Sequence, residues 1–113
     1  LPLESKFDIE HIYARNRVKN EPLKEGWNAE LLGNKSLLEQ RINIRASDYR
    51  FTDKVKYYKG LQGGKGEKKQ TCISELLAMA NEKNDFTDDD ILNRNEAIIK
   101  GFIAYLDQNE LLK

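Results

Sequence analysis

The chain has 113 residues, with 19 basic and 19 acidic side chains, a length that fits one domain. The balanced charge excludes a uniformly basic coat for nucleic acid and leaves room for a local basic patch. The single cysteine, Cys72, excludes an internal disulfide and a cysteine-rich zinc site. No apolar stretch approaches the roughly 20 residues that cross a bilayer. We therefore expect one soluble domain over residues 1–113, from a reducing cytoplasm and belonging to a longer protein.

The first half of the chain predicts short strands joined by a long loop. Residues 7–13 alternate apolar and polar side chains, which indicates a strand with Glu10 and His11 on opposite faces. Residues 14–29 show little periodicity and predict a loop of the length that is often functional. Gly33 and Asn34 predict a turn. We expect a second strand over residues 35–38 and a helix over residues 39–47.

The second half of the chain predicts helices. They are expected over residues 51–59, over residues 71–81 and from an N-cap at Thr87 onward, with a glycine-rich break at residues 60–70. In the last helix, Ile91, Ile98 and Phe102 belong to an apolar stripe that predicts a core-facing side. Cys72 is expected to be buried. The elements together predict an α+β fold whose helical part spans about residues 51–111.

The only histidine, His11, is the first candidate for chemistry. Histidine is the usual general base near neutral pH, and the neighbouring Glu10 offers hard oxygen ligands that suit Mg²⁺ or Mn²⁺. A strand-then-helix hairpin could also fold Asn34 and Asn43 back toward the same point. The alternative is that a lone histidine in a strand has a structural role, which is the more common case.

Several short motifs together resemble a known nuclease family. They are Glu-His-Ile at residues 10–12, Leu-Gly-Asn-Lys-Ser-Leu-Leu at 32–38, Asn43, then Phe51, Lys54 and Ile-Leu-Asn-Arg at 91–94. This set resembles the ββα-metal signature of HNH-type nucleases. More narrowly, it is similar to the HNH-like C-terminal domain of GmrSD-type modification-dependent restriction enzymes. Two positions depart from that pattern, because Ala14 replaces a proline and Lys35 replaces a leucine. The resemblance implies a ββα-metal core over about residues 7–48.

The resemblance also implies roles for individual residues. His11 would deprotonate a water molecule, and Asn34 would brace the loop around the histidine. Glu10 and Asn43 would hold one divalent cation, Mg²⁺ or Mn²⁺. Asp8 remains a backup ligand, because it shares the strand face of Glu10.

Basic residues in three regions are candidates for contact with DNA. Residues 54–69 contain six lysines and one glutamate, and two arginines closely follow His11. A solvated, flexible loop without a partner is the alternative for the lysine-rich region. The predicted contact residues are Arg15, Arg17, Lys54, Lys65, Lys68, Lys69 and Arg94.

The function that the resemblance implies is metal-dependent cleavage of DNA in the bacterial cytoplasm, as defence against modified phage DNA. It also implies an N-terminal domain in the parent protein that binds or hydrolyses nucleotide, and no membrane partner. Two alternatives stay open. The domain could be a catalytically inactive HNH-like scaffold that binds nucleic acid or protein, or it could cleave RNA.

Overall fold

The computed structural model of the protein describes residues 6–61 and 70–109. These residues form an α+β fold, which confirms the predicted class. In chain order, the elements are strand β1 (Phe7–His11), helix α1 (Arg15–Val18), a 3₁₀ turn (Leu32–Asn34), strand β2 (Lys35–Glu39), and helices α2 (Phe51–Tyr58), α3 (Ser74–Glu82) and α4 (Asp88–Gln108). Within the described part of the chain, no helix is long and apolar enough to cross a membrane.

Strands β1 and β2 form an antiparallel pair, in which Ile9 lies opposite Leu37 and His11 lies opposite Lys35. Ile9 and Leu37 are both more than half exposed. Leu38, one residue further along β2, is buried in the core. Successive strand residues point to opposite faces, so one face of the hairpin packs on the domain and the other faces outward. Both predicted strands are confirmed, although β1 ends at His11 and not at residue 13, and β2 is one residue longer than predicted.

The predicted helix over residues 39–47 is wrong. The chain turns at residues 40–42 and continues without regular secondary structure to α2. Ile42 is buried and Ile44 packs against the same core, a spacing of two that suits extended chain and not a helix face. Glu39 is also buried and accepts hydrogen bonds from the Thr71 hydroxyl at 2.5 Å and the Cys72 backbone N–H at 2.6 Å. These contacts hold the end of β2 against the segment before α3. The ββα-metal arrangement is therefore not confirmed in its predicted form.

The helices of the second half occur as predicted, with small differences in their bounds. The expected N-cap at Thr87 is present, because its backbone N–H donates to the Asp90 carboxylate at 2.8 Å. Phe51 and Tyr58 of α2, Leu76 of α3 and Ile91 of α4 lie in one hydrophobic core. Cys72, in contrast, is exposed and not buried as expected.

Helix α4 departs from its prediction beyond Ile91. Phe102 is 60% exposed, and Ile99 and Ile103 are exposed to a similar extent, so the expectation of a continuous core-facing stripe is wrong. The helix has 21 residues and is about 30 Å long. It packs through its N-terminal half, where the Asn95 side chain accepts a hydrogen bond from the Gly33 backbone N–H at 2.8 Å. The apolar side chains of its C-terminal half stay exposed, because no described part of the domain packs against them.

Candidate active site around His11

The imidazole of His11 lies at the end of β1, next to a carboxylate from the following loop. Its Nε2 atom is 3.2 Å from both carboxylate oxygens of Glu30. The side chain is 16% exposed, so solvent reaches part of the ring and apolar packing does not enclose it. A general base must be accessible to its substrate, and this position satisfies that condition.

Glu30 is a site residue that the sequence analysis missed. Its carboxylate accepts hydrogen bonds from Arg15 Nε at 2.7 Å and lies 3.4 Å from the Lys35 ammonium. Three cationic or potentially cationic side chains therefore surround one carboxylate. Nothing in the spacing pairs residue 30 with residue 11. The only sequence signal was that the loop over residues 14–29 had the length of a functional loop, and Glu30 directly follows it.

The environment of Glu30 keeps its carboxylate ionised. Hydrogen bonds from Arg15 and then from His11 lower the pKa of Glu30 from 4.5 to about 2. The charged form thus persists in the folded protein at pH values where an unpaired glutamate is already protonated.

This shift predicts a measurable titration. The Glu30 carboxyl carbon should titrate near pH 2 in the native protein, as followed by ¹³C NMR, and an Arg15→Gln variant should move the midpoint toward 4.5. Because the folded-state pKa is depressed, any stability from these contacts is present above pH 4.5 and is lost as the pH falls toward 2. A midpoint that stays near 4.5 in the native protein would show that the Arg15 contact does not persist in solution.

Asn34 is fully buried behind the histidine, at the junction between the 3₁₀ turn and β2. Its side-chain oxygen accepts the Tyr13 backbone N–H at 2.6 Å, and its Nδ2 donates to the carbonyl oxygens of Tyr13 and Ala29, each at 2.9 Å. The amide therefore ties the chain just after His11 to the chain just before Glu30. This geometry supports the predicted bracing role for Asn34. Its role in catalysis stays a prediction.

Glu10 lies on the inner side of the hairpin, where it meets two donors from α2. One carboxylate oxygen, Oε2, accepts from Lys54 Nζ at 2.7 Å and from the Tyr58 hydroxyl at 2.6 Å. The Lys54 ammonium also donates to the His11 carbonyl oxygen at 2.8 Å. Burial and the neighbouring Glu10 raise the pKa of Tyr58 well above its usual value. Tyr58 is therefore a neutral hydrogen-bond donor to Glu10.

An open cleft of about 180 Å³ is lined by the three residues that were predicted as metal ligands, Asp8, Glu10 and Asn43. As far as the described residues go, the lining of this cleft does not include His11 or Asn34. The three ligand candidates thus line one cleft, and the imidazole of His11 lies outside it, although Glu10 and His11 are adjacent in the chain.

The donor chemistry of this cleft fits a partial Mg²⁺ site. Two carboxylates and an amide oxygen are hard ligands, and Mg²⁺ is commonly held by one or two carboxylates together with substrate phosphates. Over residues 6–61 and 70–109, no group of three histidine, cysteine or carboxylate side chains could hold a metal ion by itself. The Lys54 ammonium also neutralises part of the Glu10 charge. These residues therefore fit a weakly held ion. A phosphate of the substrate would supply the remaining ligands.

Two of the predicted DNA contacts are wrong, because their charges are used inside the fold. Arg17 is buried over the Tyr13 ring, 4.3 Å from its centroid, and its guanidinium pairs with Asp85 at 3.0 Å. The Lys54 side chain is 4% exposed and pairs with Glu10. Both cationic groups are almost fully buried and already paired with a carboxylate, which leaves neither available to a phosphate in this structure.

The remaining predicted contacts differ in how they are placed. Arg15 has a largely exposed side chain at the edge of the candidate site. Arg94 is mostly buried and donates to the carbonyl oxygens of Gly33 and Lys35 at 3.0 and 2.6 Å, so it links α4 to the hairpin. Lys65, Lys68 and Lys69 lie outside the described residues.

The fold and the site define a small α+β domain in which the end of β1 and the loop that follows it present a histidine–carboxylate pair, whereas a separate cleft at the hairpin is lined by oxygen donors. The family model described as GmrSD restriction endonucleases, C-terminal domain, matches residues 2–101, so the chain belongs to this family. This match confirms the resemblance to the C-terminal domain of GmrSD-type restriction enzymes. It connects the chain with restriction endonuclease function, for which DNA is the substrate. No curated protein and no solved structure matches the chain.

Proposed function

We propose that this domain is a metal-dependent DNA endonuclease that hydrolyses phosphodiester bonds, with His11 as the general base. The observation that carries the proposal is the partly exposed imidazole held 3.2 Å from an ionised carboxylate, in a member of a restriction endonuclease family. A base in this position would take a proton from an attacking water molecule. Positioned general bases typically contribute about 10²–10⁴-fold in rate.

The proposed cation site consists of Glu10 and Asn43, with Asp8 as the backup ligand. A divalent cation there would neutralise the phosphate and stabilise the leaving oxygen. The hard donors favour Mg²⁺ or Mn²⁺. Lys54 and Tyr58 both donate to Oε2 of Glu10, so Oε1 is the oxygen that we expect to bind the ion.

DNA targeting would come largely from outside the domain. The chain carries equal numbers of acidic and basic residues, which supports weak intrinsic affinity for a polyanion. The proposed phosphate contacts are Arg15 and three lysines of the glycine-rich segment, Lys65, Lys68 and Lys69. An N-terminal nucleotide-dependent domain would supply recognition of modified phage DNA in the bacterial cytoplasm.

Plasmid cleavage tests the proposal directly. The full-length protein is incubated with supercoiled plasmid and Mg²⁺ or Mn²⁺, with EDTA added in a parallel arm and structured RNA as a second substrate. We expect metal-dependent cleavage of DNA, and a rate lower by about 100-fold or more in His11→Ala. The matched control is Glu25→Gln, which changes an exposed residue in the loop between α1 and the 3₁₀ turn.

Each alternative has its own outcome in this assay. Equal cleavage by the native protein and His11→Ala would remove His11 as the base. Cleavage that persists in EDTA would remove the metal site. Faster cleavage of RNA than of DNA would identify a ribonuclease. Binding of DNA without cleavage by any form would identify a catalytically inactive scaffold.

A further inference from the structure

The contact between His11 and Glu30 constrains where the imidazole carries its proton. An ionised carboxylate only accepts hydrogen bonds. Glu30 is ionised at neutral pH, as a glutamate is even at its ordinary pKa of 4.5, and hydrogen bonds from Arg15 and His11 lower that pKa further, to about 2. In a neutral imidazole, one nitrogen is protonated and the other has a free lone pair. Since Nε2 is the atom 3.2 Å from Glu30, a hydrogen bond there requires the proton to be on Nε2.

Glu30 is itself held in position from three directions. Arg15 donates to both carboxylate oxygens, from Nε at 2.7 Å and from its terminal nitrogen at 3.2 Å. The Glu30 backbone N–H donates to the Asn28 side chain at 2.8 Å. The preceding carbonyl, that of Ala29, accepts from the buried Asn34 amide at 2.9 Å. The carboxylate is therefore fixed relative to the end of β1, although half of its side chain is exposed to solvent.

We propose that Glu30 is a positioning residue that holds His11 in its Nε2–H tautomer and leaves Nδ1 as the atom that accepts the proton from water. The catalytic part of this inference rests on the proposed function, to which it adds that Nδ1 of His11 is the atom that accepts the proton. Glu30 acts only through His11 and does not touch the substrate. Fixing a histidine tautomer through the nitrogen that does not react is a general way to orient the ring and its lone pair.

The tautomer can be measured without any activity assay, because His11 is the only histidine of the chain. Long-range ¹⁵N–¹H correlation of the 113-residue chain at about pH 8.5, about two pH units above the ordinary pKa of a histidine side chain, reports the protonation of each ring nitrogen. We expect a protonated Nε2 and an unprotonated Nδ1 in the native protein. In Glu30→Gln, the amide can donate as well as accept, so we expect a mixture of tautomers. Glu25→Gln should leave the native spectrum unchanged.

Cleavage kinetics of the full-length protein give the second readout. We expect kcat to fall about 10- to 100-fold in Glu30→Gln, the usual range for partners that orient a reactive group, with KM unchanged. Loss of a phosphate contact would raise KM instead. Unchanged backbone amide spectra would show that the variant folds normally.

The two experiments separate this inference from the proposed function. A native protein with its proton on Nδ1, or a Glu30→Gln variant with an unchanged tautomer, overturns the inference even if DNA is cleaved normally. An unchanged kcat in Glu30→Gln also overturns it. If neither form cleaves DNA but the tautomer shifts as expected, the control of the tautomer by Glu30 is supported, and the proposed nuclease function fails.

Discussion

Replacing Gly33 with alanine is expected to lower the free energy of unfolding by about 3 kcal/mol or more. A Cβ atom at this position would lie 2.2 Å from the carbonyl oxygen of Ile91 and 2.6 Å from the backbone nitrogen of Asn95. Both are backbone atoms of α4, so no side-chain rotation relieves the clash. The helix must move away from the 3₁₀ turn, which also breaks the hydrogen bond from Gly33 to Asn95.

Gly101 offers a matched control for this substitution in the exposed half of α4. A Cβ atom there meets nothing within 4 Å, and alanine favours a helix interior over glycine by about 0.5–1 kcal/mol. Gly101→Ala should therefore stabilise the protein, whereas Gly33→Ala should destabilise it. Urea unfolding curves of the two variants give both values. Equal effects of the two substitutions would show that α4 does not pack on the 3₁₀ turn as described.

Replacing Lys54 with methionine is expected to cost about 3–5 kcal/mol, because the substitution leaves the Glu10 carboxylate with one donor in a mostly buried position. The Lys54 and Glu10 side chains are 4% and 12% exposed. Methionine is similar in length and keeps most of the apolar packing, so the loss reports the missing charge and its hydrogen bonds. The free energy of unfolding at pH 7 is the quantity to measure.

Two further variants test whether an unpaired charge is the cause. In Lys54→Met/Glu10→Gln, the new amide is neutral and can still accept from Tyr58, so we expect at least half of the lost stability to return. Lys24→Met removes the lysine of the exposed Lys24–Asp89 pair and should leave stability close to that of the native protein. A single Lys54→Met variant as stable as Lys24→Met would show that the Glu10 pair is not formed in solution.

The candidate site was predictable in part. The set of short motifs identified the family, and it singled out Asn34, whose amide ties the chain just after His11 to the chain just before Glu30. It could not identify Glu30, which is 19 residues from His11 and meets it only because the loop closes. The assignment of Arg17 and Lys54 to DNA failed for a related reason. The sequence shows that a side chain is charged, whereas its burial depends on partners such as Asp85 and Glu10 that come from distant parts of the chain.

By itself, the sequence determined the strands, the three longer helices and the family, because alternation, helical periodicity, capping residues and short motifs are local properties of the chain. Only the tertiary structure decided which side chains the elements bury. The Ile42–Ile44 segment is extended because both side chains pack on the core, and the apolar face of α4 after Ile91 stays exposed because the helix is longer than the surface beneath it. The tertiary structure also decided the partners of His11 and Glu10, because contacts between residues far apart in the chain form only when it folds.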